Sequence, residues 1–190
     1  MAFLTISEMR ARGEGVVARE RNLGKTSRTI IAEAVAYDPD RTYDIFLSHS
    51  SQDRALVLGV KDRLEGAGLS VYVDWISDAE LDRTAVTPAN AERLRTRMRS
   101  CRSLLYLATE NASHSKWMPW ELGFFDGLDN GEIGILPVLE GRDETFDGME
   151  FLGLYSIVEL RPRAGGGSAL FIRRKDGSVE RLRNLFRKAG

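Results

Sequence analysis

The chain has 190 residues, of which 43% are hydrophobic and 29% charged, a composition that suits one ordinary soluble domain with a modest appendage. One cysteine excludes an intramolecular disulfide, and no apolar run approaches the roughly 20 residues of a membrane span. The net charge is −1, but residues 41–160 carry twelve basic and twenty acidic side chains, whereas residues 161–190 carry nine and two. The first residues lack the basic stretch and long apolar core of a secretory signal, so we expect a cytoplasmic protein.

Residues 1–41 are predicted to form an N-terminal helical extension. Scattered apolar side chains between Ile6 and Val35 allow one or two helices, which glycines interrupt. The run Gly-Lys-Thr-Ser at 24–27 resembles the end of a phosphate-binding loop, but Arg19 stands where the first glycine of that motif belongs. No strand precedes the run either, so this motif is excluded. Asp-Pro-Asp at 38–40 predicts a turn and a domain boundary.

Residues 42–162 read as an alternating α/β domain. A short apolar strand at 43–48, a helix at 54–65 and a strand at 69–74 form a βαβ unit, which implies a parallel, buried sheet. The later elements repeat the alternation: a helix at 89–100, a strand at 103–108, a helix from 117 to 128, and strands at 133–139 and 154–160. The pattern predicts a flavodoxin-like, open, five-stranded parallel sheet with helices on both faces.

Residues 163–190 are predicted to be a basic C-terminal appendage. Gly-Gly-Gly-Ser at 165–168 indicates a flexible linker, and the rest suggests a short strand, a turn and an amphipathic basic helix at 179–187. Such a tail could bind another copy, nucleic acid or a membrane surface, although a solvated terminal helix is the simpler interpretation.

One stretch combines two tryptophans with a carboxylate after a buried strand. Serines at 113 and 115 offer capping oxygens for a helix that starts near Trp117, and Pro119 fits its first turn. Trp117 and Glu121 are four residues apart and share one face, and Glu121 lies where the helix dipole favours an ionised carboxylate. The residues alone favour the plainer interpretation, in which the tryptophans belong to the core and Glu121 is a helix-start charge.

Four segments resemble Toll/interleukin-1 receptor (TIR) domains, particularly bacterial ones. Residues 43–53 resemble the opening motif of the family, and Asp74-Trp75 is similar to the entry of its BB loop. Residues 115–122 resemble the segment that carries the catalytic glutamate of the family, and residues 135–138 match its fourth strand. The resemblance covers about residues 42 to 160 and implies the TIR fold.

The resemblance implies an NAD⁺ glycohydrolase or ADP-ribose cyclase with Glu121 as the catalytic residue. The side chains expected at the substrate follow the first two strands or precede the glutamate by one turn: Ser48, His49, Ser50, Asp74, Trp75 and Trp117. For His49, a hydrogen-bonding role in the loop is favoured over acid–base catalysis. NAD⁺ is then the substrate, and no resident cofactor is expected. No GxGxxG fingerprint and no metal-ligand cluster is present in the sequence.

The resemblance also implies partners. Free-standing TIR proteins of this size are similar to the signal-making component of antiphage systems such as Thoeris, in which a separate effector protein binds the nucleotide product. Other TIR copies, in an oligomer or filament, are expected partners, and a membrane is not. One alternative is a non-catalytic adaptor that pairs through the BB loop, residues 75–86. A third hypothesis, nucleic-acid binding through residues 173–188, is weaker because only two aromatic side chains interleave with the basic ones.

Overall fold

The computed structural model describes residues 2–22, 41–73, 87–128, 131–142, 144–146, 148, 150–163 and 165–185. Its strands are β1 (Leu4–Thr5), β2 (Tyr43–Ser48), β3 (Val71–Tyr72), β4 (Cys101–Ala108), β5 (Glu132–Leu139), β6 (Ser156–Pro162), β7 (Ser168–Arg173) and β8 (Val179–Arg181). Its α-helices are α1 (Ile6–Asn22), α2 (Arg54–Glu65), α3 (Pro88–Arg99) and α4 (Met118–Asp126). Single 3₁₀ turns lie at Glu110–His114, Glu150–Leu154 and Leu182–Asn184. None of the described helices is long and apolar enough to span a bilayer.

The strands form one sheet in the order β3-β2-β4-β5-β6-β7-β8, with β1 paired to β5. From β3 to β6 every pairing is parallel, which confirms the predicted five-stranded α/β sheet. From β2 the chain continues to β3 on one side of β2, and it then crosses to β4 on the other side of β2. This reversal creates a crevice at the carboxyl ends of β2 and β4, where open α/β sheets bind ligands.

Helices cover both faces of the sheet, as predicted. On one face α1 and α2 pack over a core that includes Leu47, Val60 and Leu107. On the other face α3 and α4 cover a second core with Met98, Met118 and large aromatic side chains. The first core also contains residues from both ends of the chain, namely Leu4, Met9, Leu170, Ile172 and Leu182. The described segments on either side of residues 42–162 therefore share the central core with that region. The predicted domain boundaries at residues 41 and 162 remain a prediction.

Helices α1 and α2 approach so closely that their backbones touch. A Cβ atom added at Gly59 would lie 1.8 Å from the carbonyl oxygen of Met9, and one at Gly13 would lie 2.0 Å from that of Ala55. Only glycine allows such an approach, because any other side chain would occupy the space of a neighbouring carbonyl. The pair of glycines thus fixes α1 against the body of the domain.

The C-terminal region differs from its prediction in two places. Gly165–Gly167 are not a flexible linker but the loop of a hairpin, in which β6 pairs antiparallel with β7 from Ile157↔Arg173 to Pro162↔Ser168. All three glycines have φ between +75° and +95°, the left-handed region that the tight return of the chain requires.

The helix predicted at 179–187 is also wrong within the described part of that range. Val179–Arg181 pairs with β7 as a third antiparallel strand, and Leu182–Asn184 makes one 3₁₀ turn. The hydrogen bonds of β7 and the burial of Leu182 outweigh the weak helical pattern of so short a segment. At the other end, Leu4–Thr5 pairs with Val138–Leu139, a strand that the predicted helical extension did not include.

Candidate active site

The crevice between β2 and β4 brings together polar side chains that are far apart in the sequence. Ser48, the last residue of β2, is the parallel partner of Tyr106 in β4. Both residues are completely buried, although each carries a hydroxyl group. The polar groups therefore meet under the loops that follow the two strands.

Glu121 is supplied to this crevice by α4. The hydroxyl oxygen of Ser115 accepts a hydrogen bond from the backbone N–H of Met118 at 3.3 Å and so helps to begin the helix, as the sequence predicted. Glu121 lies in the first turn, where its N–H donates to the carbonyl of Trp117 at 2.8 Å. The positive end of the helix dipole favours the ionised form of a carboxyl group at this position.

Ser48 and Glu121 are in direct contact. The Ser48 hydroxyl donates a hydrogen bond of 2.6 Å to Oε2 of Glu121, and both side chains are 0% exposed. A short hydrogen bond to a buried carboxylate fixes the orientation of its oxygens, because the alternative is an unsatisfied polar group in the core. The structure thus joins the predicted catalytic residue to a predicted substrate-binding residue from another element.

Tyr106 lies beside this pair. Burial, together with the nearby Glu121 carboxylate, raises the pKa of the Tyr106 hydroxyl to about 12, so this phenol is neutral over the physiological range. Among the described residues its hydroxyl has no hydrogen-bond partner. Buried hydroxyls are normally satisfied, so this hydroxyl beside a carboxylate is a candidate functional group.

A cavity of about 360 Å³ opens on the other side of Tyr106, between the loops that follow β4 and β5. Tyr106 and Thr109 contribute to its wall, together with Phe146 and Leu152 from the segment after β5. Tyr106 thus belongs both to this wall and to the surroundings of Glu121, whereas Glu121 and Ser48 are not in the wall. The wall also carries Glu110, Glu140 and Glu144, which makes this cavity unsuited to the phosphates of a dinucleotide.

The loop after β2 is held by its own hydrogen bonds. His49 is buried, and its Nδ1 lies 2.7 Å from the carbonyl oxygen of Leu47. Because a carbonyl can only accept, Nδ1 carries the proton in this contact. Ser50 is also buried, and its hydroxyl oxygen accepts a hydrogen bond from the N–H of Gln52 at 3.3 Å. These contacts match the loop role preferred for His49, whereas substrate binding by either residue stays a prediction.

Asp53 is a residue of the site edge that the sequence did not reveal. Its carboxylate accepts hydrogen bonds from the Thr109 hydroxyl at 2.7 Å and from the Asn111 side-chain amide at 2.6 Å. These bonds tie the loop after β2 to the loop after β4. The partners are 56 and 58 positions away, so only the expected meeting of strand ends could have pointed to them.

Trp117 lies in the core and not on the surface. It is 5% exposed and packs edge-on against Trp120, with ring centroids 5.5 Å apart. Trp120 in turn stacks on Phe124, and the guanidinium of Arg95 lies 5.4 Å from the Trp120 ring centroid. The ring of Trp117 thus braces the start of α4, and its predicted contact with substrate stays untested. The other two predicted site residues, Asp74 and Trp75, lie outside the described residues.

Within the described ranges, no three His, Cys, Asp or Glu side chains are placed to hold a metal ion. The arrangement instead offers one buried, oriented carboxylate at the switch point of a parallel sheet. A single fixed anion of this kind can stabilise positive charge that develops on a substrate.

Comparison with known proteins places the chain in a family. The TIR domain family matches residues 45–163. Over 136 residues the chain is 49% identical to "Probable 3' cyclic ADP-D-ribose synthase ThsB'" of Bacillus cereus strain MSX-D12. These aligned residues cover 70% of each protein. It is 28% identical over 85 residues to TIR2 of Cytobacillus dafuensis, provisionally named a cyclic ADP-D-ribose synthase, covering 44% of this chain and 22% of that protein.

Among solved structures, the TIR domain of the Toll-related receptor TRR-2 from Hydra magnipapillata aligns with 59% of this chain and 79% of its own, with 23% identity and a TM-score of 0.42. The fold and the site define a parallel α/β domain with a buried glutamate at the sheet edge where such folds bind ligands. The extent of the family match and the 49% identity show that the chain belongs to the TIR domain family.

Proposed function

We propose that this protein cleaves the nicotinamide–ribose bond of NAD⁺ and joins the ADP-ribose product into a cyclic nucleotide, with Glu121 as the catalytic residue. The observation that carries the proposal is the buried Glu121 carboxylate, held by Ser48 at the carboxyl ends of β2 and β4. The 49% identity to a protein named as a 3′ cyclic ADP-D-ribose synthase supports the cyclic product.

The chemistry of this bond explains why one carboxylate is sufficient. Ordinary glycosidases need two carboxyl groups, because one must protonate the leaving oxygen. Nicotinamide leaves NAD⁺ as a neutral molecule, so no acid is required at that position. The transition state gathers positive charge on the ribose, and a fixed anion at Glu121 stabilises that charge more than it stabilises the bound substrate.

In this proposal, two described residues beside Glu121 have different roles. Ser48 holds Oε2 of the carboxylate, and Tyr106 contributes a neutral hydroxyl beside it. Cyclisation needs a hydroxyl or ring nitrogen of the same ADP-ribose to reach the ribose C1 before water does. A largely buried site favours this outcome, because it excludes water from the reactive carbon.

We further propose that the cyclic product is a signal for a separate effector protein in an antiphage system of the Thoeris type, and that copies of the chain assemble during catalysis. Both steps rest on the likeness to bacterial TIR proteins. Analytical ultracentrifugation with and without NAD⁺ tests the assembly: a sedimentation coefficient that stays at the monomer value while NAD⁺ is consumed would exclude it.

The test of the catalytic proposal is mass spectrometry of the products formed from NAD⁺ by wild type and Glu121→Gln. The substitution keeps the size of the side chain and removes its charge, so turnover should fall by a factor of about 10²–10³. Glu14→Gln is the matched control, because Glu14 is exposed on α1, which packs on the opposite face of the sheet from α4, and should leave turnover unchanged. Equal turnover by wild type and Glu121→Gln would remove Glu121 from the mechanism.

A further inference from the structure

A second cavity lies at the far end of α2 from the candidate active site. It has a volume of about 110 Å³ and lies between the C-terminal end of α2, the start of β7 and the turn after β8. Helix α2 has 12 residues, so at about 1.5 Å per residue it spans about 18 Å between the loop of Asp53 and Gly66 in the cavity wall. Neither Ser48 nor Glu121 contributes to this wall.

The wall of this cavity is strongly basic. Four of the residues that line it are arginines, and they come from three separate parts of the chain: Arg63, Arg163, Arg181 and Arg183. No carboxylate is among the described residues of the wall. Guanidinium groups around so small a volume repel one another, and an anion in the cavity would reduce that repulsion.

Three carboxylates on the adjoining elements pair with cations outside the cavity wall. Asp62 binds Arg12 at 2.5 Å and Arg19 at 3.1 Å. Glu65 pairs with Lys61 four residues earlier, and Glu180 pairs with Arg174 at 3.5 Å. Asp62 and Glu65 therefore neutralise cations other than the arginines of the cavity.

One contact and one buried atom show how two of these arginines are held in the fold. Arg63 donates a hydrogen bond of 3.0 Å to the backbone carbonyl of Ser168, at the first residue of β7. Nε of Arg183 is buried and has no hydrogen-bond partner among the described residues. A buried, unsatisfied N–H of a charged group is costly, and the charge of an anion in the cavity would lower that cost.

The electrostatics of Arg63 agree with this picture. Burial lowers the pKa of the Arg63 guanidinium, and the nearby charges of Arg12, Arg163 and Arg142 lower it further, whereas Glu8 opposes them. A bound anion would remove part of this repulsion. The planar, forked guanidinium also matches the geometry of phosphate oxygens better than that of a spherical ion such as chloride.

We propose that this arginine cavity is a binding site for the phosphate or diphosphate group of a small phosphorylated ligand. The volume admits one such group but not a nucleoside, so any further part of the ligand lies outside the cavity. The site is independent of the proposed NAD⁺ chemistry, because it shares no residue with the pair of Ser48 and Glu121.

Isothermal titration calorimetry with inorganic pyrophosphate, at constant ionic strength, tests the proposal on the full chain. The variant carries Arg163→Gln and Arg183→Gln, and the matched control carries Arg10→Gln and Arg102→Gln, which remove two exposed charges elsewhere. Wild type and control should bind equally, and the variant at least ~10-fold more weakly, because two charge-assisted hydrogen bonds to the anion are lost. Equal binding by variant and control, or no binding by folded wild type, would overturn the proposal.

Two further measurements keep the test decisive. Thermal unfolding reports whether the double variant folds. If the double variant does not fold, the single variant Arg163→Gln replaces it, because Arg163 is an exposed side chain. Titration with ADP-ribose in place of pyrophosphate distinguishes a nucleotide diphosphate from the free anion. A wild type that binds a single-stranded oligonucleotide through these arginines, but not pyrophosphate, would refute the small-ligand site in favour of nucleic acid.

Discussion

Tyr106 illustrates what a single residue contributes beyond packing. Its ring fills the core under the crevice, yet its hydroxyl is buried, neutral and without a partner in the described part of the chain. A phenylalanine would fill the same space without the desolvated oxygen. The hydroxyl therefore lowers the stability of the resting protein, and its position beside Glu121 suggests the reason for its retention.

We expect Tyr106→Phe to be at least as stable as wild type at pH 7. The unfolded tyrosine ionises near pH 10, whereas the folded pKa is raised to about 12, so wild type loses stability as the pH rises from about 10 towards 12. The variant has no such group and should lose less stability over that interval. Urea denaturation at pH 8 and pH 11 measures both effects, and a variant less stable than wild type at pH 8 would show that the hydroxyl is satisfied.

The contact between Ser48 and Glu121 shows how much of the candidate site could be predicted from the sequence at the scale of residues. Both residues follow from the motif positions, and the parallel βαβ pattern predicts that strand ends and helix starts meet at one edge. The complete burial of the carboxylate could not be predicted, because it depends on side chains from several loops. The same applies to Asp53, whose partners Thr109 and Asn111 belong to a loop with no recognisable motif.

At the scale of elements, the local sequence pattern was sufficient to predict a helix where one face of that helix packs on the core. Helix α2 was predicted with its exact bounds, because apolar residues recur every four positions and Gly66 ends it. The segment after Ser178 was not, because its basic, half-apolar pattern also fits a strand whose ladder is supplied by β7. Pairing between distant segments decided its structure, and no local propensity reports such pairing.

The crossing of α1 and α2 gives a prediction for an element contact. Gly59→Ala should lower the free energy of unfolding by about 1–3 kcal/mol, because the new methyl group would overlap the carbonyl oxygen of Met9. Gly15→Ala in α1 is the matched control: no atom lies within 4 Å of its added Cβ, and alanine favours a helix over glycine by about 0.5–1 kcal/mol. Chemical denaturation should therefore give changes in the free energy of unfolding of opposite sign for the two variants. If both substitutions stabilised the protein, the close crossing of α1 and α2 would be contradicted.

At the scale of the molecule, the sheet extends beyond the region that resembles a TIR domain. Strands β7 and β8 continue it with antiparallel pairing, and Leu170 and Ile172 of β7 enter the core beneath α1 and α2. The sequence indicated the five parallel strands correctly but read Gly165–Gly167 as a linker. A glycine run is compatible with both a linker and a hairpin loop, and the register of the flanking strands decides between them.

This continuity predicts that the C-terminal strands unfold together with the domain. Ile172 is completely buried, so Ile172→Ala should lower the stability of the whole chain by about 2–5 kcal/mol while retaining a single transition. Val179→Ala in β8, where the side chain is only half-buried, should have a much smaller effect. A separate early transition for residues 168–185, followed by differential hydrogen exchange, would show instead that they form an independent appendage.

Under the function proposed above, the closed position of Glu121 makes the resting molecule a latent catalyst. A ribose cannot contact a side chain with no accessible surface, so each turnover must pass through a rearranged form in which the carboxylate is uncovered. The measured rate is then the intrinsic rate multiplied by the fraction of molecules in that form. A trigger that favours the uncovered form accelerates the reaction without touching the chemistry, and the greatest possible acceleration is the reciprocal of the resting fraction.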